Sequence, residues 1–101
     1  MKKALILAAT AMLMTPVAAM AERDGATVYN TKCMACHMTG AAGAPIVGKA
    51  DQWAPRAAKG IEALVATAKS GINAMPPMGT CMDCTDGEMQ AAIQHMLDNS
   101  K

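Results

Sequence analysis

A chain of 101 residues with no phenylalanine, one tyrosine and one tryptophan lacks the side chains that usually fill a large core, and at this length it holds one domain at most. Its formal net charge of +1 excludes a polybasic nucleic-acid or membrane-surface binder. Alanine, glycine and methionine supply most of the apolar content instead, which suggests that some other large flat apolar body fills the interior.

Lys2 and Lys3 precede an apolar run from Ala4 to Met14 that is too short to span a bilayer. The Ala19-Met20-Ala21 triplet has the small-x-small form of a signal-peptidase site, which predicts a cleaved signal peptide over residues 1–21 and a mature domain over 22–101. Export places the mature chain in the periplasm, with no stable membrane insertion after cleavage. Its 80 residues form a thin core that needs help from disulfides, a metal or a cofactor. From 22 to 70 there are six basic and four acidic residues, and from 71 to 101 one basic and four acidic, so the domain carries a charge dipole suited to orienting an encounter.

Asp24 is a good N-cap for a first helix running toward Cys33. The stretch from Thr39 to Gly48, rich in glycine and small residues, reads as a loop able to approach a flat surface closely. Trp53, Pro55 and Arg56 follow as a compact group. Ile61, Leu64, Val65 and Ala68 then share one face of a helix bounded by Gly60 and Gly71. Residues 73–84 form a proline-interrupted connection. Thr85 and Glu88 make a capping box for a last helix that presents Met89, Ala92, Ile93 and Met96 on one face. No segment alternates over strand length, and the class is all-α.

Cys33-Met34-Ala35-Cys36-His37 matches the pattern of haem c attachment, in which two thiols bond the porphyrin and the adjacent imidazole is delivered to the iron. Two intervening residues let one turn of backbone present both sulfurs to one porphyrin edge. A thioredoxin-like dithiol at Cys33 and Cys36, and a zinc site completed by Cys81 and Cys84, are the competing readings. The adjacency of His37 and the export signal favour haem, one group held covalently. Haem also supplies the large flat apolar body that the composition lacks.

A closed electron carrier needs a sixth iron ligand, and a thioether there raises the reduction potential. Met75 is the choice, because Pro76 and Pro77 stiffen the loop behind it. Met78 competes with Met75, and His95 lies off the apolar stripe, where a solvated histidine is expected. In an oxidising compartment Cys81 and Cys84 are expected to pair as a disulfide that acts locally. The Trp53 indole N–H and the Arg56 guanidinium are expected to donate to the haem propionates, against the alternative of a core tryptophan and a solvated arginine.

From Tyr29 to Met96 the chain resembles the cytochrome c5 family of bacterial class I cytochromes c. The resemblance is carried by the Cys33–His37 motif, Gly40–Pro45, Trp53–Arg56, Asn73–Pro77, Gly79–Cys84 and Ala92-Ile93 with Met96, the second cysteine pair being the discriminating mark. It implies the class I helical fold wrapped around one covalently attached haem, His37 and Met75 as axial ligands, and Cys81 bonded to Cys84. The expected function is that of a soluble one-electron carrier, not an enzyme. Its expected partners are redox proteins such as a membrane cytochrome complex, a terminal oxidase or a reductase. The alternative is a haem enzyme subunit or small-ligand sensor with an open or displaceable sixth position.

Overall fold

The computed structural model describes residues 22–101, so the signal peptide expected over 1–21 lies outside the described residues. Asp24 caps the first helix by accepting from the Thr27 N–H at 2.7 Å, and these bonds hold its carboxyl below the ordinary range. Helix α1 (Gly25–Val28) passes without a break into a π turn (Tyr29–Cys33) and resumes as α2 (Met34–His37). Short 3-10 turns follow at Ala41–Gly43 and Pro77–Thr80, on either side of α3 (Ala50–Ala57) and α4 (Ile61–Ser70), and α5 (Asp86–Asp98) closes the fold. The described residues contain no strand, only an isolated bridge between Ile72 and Met75.

Helix α5 begins where the capping box requires. The Thr85 hydroxyl accepts from the Glu88 N–H at 3.1 Å, and the Glu88 carboxylate accepts from the Thr85 N–H at 2.9 Å. Its face of Met89, Ala92, Ile93 and Met96 is buried against Val28 and Tyr29 from the first helix and Ala68 from α4. Helix α1 crosses α5 so closely that a Cβ on Gly25 would stand 2.2 Å from the Ala91 carbonyl oxygen.

Periodicity does not reveal helix α3, because Trp53 is its one buried residue, which leaves no apolar stripe. Pro55 interrupts its ladder as well.

An ion pair joins the start of the domain to α5. Glu88 is buried, and its carboxylate accepts from the Arg23 N–H at 3.0 Å and from Arg23 Nε at 2.7 Å. Arg23 Nη2 reaches Asp83 at 3.3 Å and lies 3.6 Å from the Cys84 sulfur. Cys81 and Cys84 are bonded to each other and buried. The Arg23 guanidinium, with the Thr85 and Arg23 N–H groups, holds the Glu88 carboxyl at about 2, below its ordinary 4.5. A depressed carboxyl contributes stability above its unfolded value and loses it as pH falls through the folded one. The window here runs from about 4.5 down to about 2. A Glu88→Gln chain is expected to be less stable than the parent at neutral pH and to lose less on acidification through that window, as read by thermal unfolding at several pH values.

Candidate functional site

Cys33, Cys36 and His37 reach one cavity because of the π turn. A π turn inserts an extra residue into the helical ladder and rotates the succeeding turn about the helix axis. Val28 and Tyr29 therefore face the core, while Cys33, Cys36 and His37 line a cavity of about 320 Å³. Both thiols are free. Burial pushes the Cys33 thiol up, and the neighbouring Cys36 adds to the effect.

The loop after α2 fixes the imidazole. His37 is buried, and its Nδ1 lies 2.9 Å from the Pro45 carbonyl oxygen. A carbonyl only accepts, so Nδ1 carries the proton and Nε2 holds the lone pair that a metal takes. The main chain doubles the tie, because the Val47 N–H donates to the His37 carbonyl at 2.8 Å.

Met75 sits in a tight turn in which its N–H donates to the Ile72 carbonyl at 2.8 Å and its carbonyl accepts from the Ile72 N–H at 3.0 Å. Gly71, at φ +87°, lets this turn close: a Cβ there would stand 2.9 Å from both the Met75 carbonyl oxygen and the Pro77 nitrogen. A smaller lobe of about 110 Å³ adjoins the main cavity, and His37 and Met75 line both. Met78, at φ +65°, lines the larger lobe only.

His95 lies away from the cavity, half-buried against Tyr29 with ring centroids 5.2 Å apart. Trp53 departs from its expected role. Its indole N–H donates to the Ile46 carbonyl at 2.9 Å, so the one hydrogen expected for a propionate is already committed to the loop. The ring lines the smaller lobe, its centroid 5.6 Å from that of His37. Arg56 lines both lobes, and one terminal nitrogen donates to the Gln52 carbonyl at 2.6 Å. Its remaining N–H groups can still serve an anion at the cavity mouth.

The donor set suits a haem. Two free thiols three residues apart, an imidazole fixed in one tautomer and a thioether surround a cavity walled by Met89, Ile93 and Met96. A zinc site drawing on all four cysteines is ruled out in this arrangement, because Cys81 and Cys84 are bonded to each other.

The family described as cytochrome C oxidase, cbb3-type, subunit III matches residues 20–96. The chain is 51% identical over 76 residues to cytochrome c5 of Azotobacter vinelandii, covering 73% of this chain and 92% of that protein. It is 37% identical over 81 residues to cytochrome c-555 of Chlorobaculum thiosulfatiphilum, covering 76% and 94%. Among solved structures it resembles a mono-heme ferrocytochrome c from Shewanella putrefaciens at 47% identity and a TM-score of 0.69, covering 78% of this chain and 96% of that one. It also resembles a chain of the electron transfer complex of nitrite reductase with cytochrome c, at 38% identity and a TM-score of 0.73, covering 76% and 94%.

Proposed function

Because the chain belongs to the cytochrome c5 family and is a monohaem c-type electron carrier, we propose that Cys33 and Cys36 hold its haem, that His37 and Met75 are the axial ligands, and that it works in the periplasm. When bound, the haem supplies a one-electron couple between ferrous and ferric iron. The surrounding residues hold that group and limit how much the site rearranges.

The observation that carries the ligand assignment is that, of the two loop methionines, Met75 but not Met78 lines both lobes of the cavity with His37, each tied by its neighbours, whereas Met96, which also lines both, belongs to the buried stripe of α5. The Pro45 carbonyl fixes the His37 ring. The paired bonds between Ile72 and Met75 hold the thioether loop, so little reorganisation accompanies electron transfer. Arg56 stands at the mouth as a charge-assisted donor to a propionate.

Periplasmic work fits the signal peptide read at residues 1–21, and no helix of the described residues is long and apolar enough to cross a membrane. Partners are redox proteins. A relative's place in a complex with nitrite reductase supports a reductase among them. The exposed residues Ala41, Ala42 and Gly43 border the cavity as a small, weakly polar contact patch suited to transient docking.

The ligand assignment is tested by optical spectra and potentiometry of haem-loaded variants. The wild type should show the weak far-red band of oxidised haem bound to a thioether. Met75→Ala should lose it and fall in reduction potential, while Met78→Ala keeps it. Survival of the band in Met75→Ala, or its loss in Met78→Ala, would move the sixth ligand to Met78. No band in the wild type would favour an open or nitrogen-ligated site.

A further inference from the structure

Gln52, in the first turn of α3, aims its side chain back at the loop that holds His37. Its Oε1 accepts from the Ile46 N–H at 2.8 Å. That N–H belongs to the same peptide unit as the Pro45 carbonyl, which accepts from His37 Nδ1 at 2.9 Å. Gln52, one peptide plane and the His37 imidazole therefore form a continuous hydrogen-bonded chain. The direction of every bond follows from the groups: the peptide N–H can only donate, so the Gln52 oxygen must face it, and the peptide carbonyl can only accept.

We propose that Gln52 is a positioning residue for the haem ligand, strengthening the Pro45 carbonyl as an acceptor for His37 and thereby raising the electron-donating power of the imidazole. This rests on His37 being the iron ligand. Hydrogen bonds in series polarise one another, so an acceptor on the peptide N–H makes its carbonyl oxygen more negative. A stronger bond to Nδ1–H gives the ring more anionic character, and such outer partners raise the basicity of a ligating histidine. A more basic ligand favours the ferric state and lowers the reduction potential.

Packing of the loop is a separate task carried by Trp53. Its indole bonds the Ile46 carbonyl, which belongs to the next peptide unit; that unit's Val47 N–H ties the His37 main-chain carbonyl and not the imidazole. Among the described residues, Gln52 provides the acceptor for the peptide facing the imidazole. Gln52 is half-buried, so water reaches that peptide less readily than it would on an open loop.

The test uses the haem-loaded protein and two readouts, the reduction potential and the NMR shift and exchange rate of the His37 Nδ1 proton. Gln52→Met keeps the length of the side chain and removes the acceptor. At a fixed electrode potential its ferrous-to-ferric ratio should rise by roughly two- to fivefold, with an upfield shift and faster exchange of the Nδ1 proton. Gln52→Glu, a stronger acceptor, should move both readouts the other way, and it carries the test alone if Gln52→Met does not load haem. Asp51→Asn changes an exposed charge next to Gln52 without touching the chain of bonds, and should leave the Nδ1 proton where it is. Unchanged Nδ1 signals in Gln52→Met or Gln52→Glu, or an equal response in Asp51→Asn, would overturn the proposal. The wild type separates this failure from that of the ligand reading: if His37 ring protons carry no haem-induced shift, His37 is not the ligand. If they are haem-shifted but insensitive to Gln52, only the proposed relay fails.

Discussion

Replacing both Cys33 and Cys36 with alanine should leave a chain that holds no covalent haem and shows no cooperative unfolding transition. The cavity of about 320 Å³ lies against Met89, Ala92, Ile93 and Met96, the same stripe that anchors α5. Without the haem this apolar stripe faces water across the cavity mouth and not packed atoms, and a core this thin has little other burial to offset the loss. A small domain has only about 5–15 kcal/mol in total. No phenylalanine is present to close the gap, and methionine is too flexible to specify one packing in its place. Temperature scans by circular dichroism, with the haem-loaded parent alongside, would read the result. A sharp transition in the double variant would mean that the polypeptide core suffices without haem.

Gly25→Ala should lower stability by about 3 kcal/mol or more, although alanine is the better helix former by about 1 kcal/mol. The added Cβ would stand 2.2 Å from the Ala91 carbonyl oxygen, 2.6 Å from its carbon and 3.2 Å from the Ala92 nitrogen. All three atoms are backbone of α5, so no rotamer change relieves the contact. Helix α1 must move away, which opens the packing of Val28 and Tyr29 against the last helix. A domain of this size shifts in Tm by about 4–8 °C per kcal/mol, so the midpoint should fall by at least about 12 °C. Gly43→Ala is the control: a Cβ there meets nothing within 4 Å, although φ is +84°, and its cost should be about 1 kcal/mol of backbone strain. Near-equal effects of the two substitutions would mean that α1 and α5 can separate cheaply.

Much of the fold is written in short-range patterns. The Asp24 cap, the Thr85 and Glu88 capping box, and the stripes of α4 and α5 each depend on residues within a turn or two of one another, and the structure places those elements where the patterns put them. Helix α3 was not legible, because one buried tryptophan and an internal proline make no periodic signal. The π turn was not legible either, since its residues, Tyr29–Cys33, read as ordinary helix.

By itself, the sequence determined the attachment motif, the need for a large apolar guest in a core without phenylalanine, the family, and the starts of the helices that carry caps. The tertiary structure decided what depends on residues far apart in the chain. It turned the Trp53 indole toward Ile46 in place of a propionate, and it set the Gln52 oxygen on the peptide that faces His37. It also brought Arg23 to Glu88, 65 positions away, and placed Met75 with His37 along both lobes of one cavity. The physical reason is the reach of each interaction. Caps and stripes are completed within one or two helical turns, whereas a single donor such as an indole N–H is committed by whichever acceptor the folded chain brings to it.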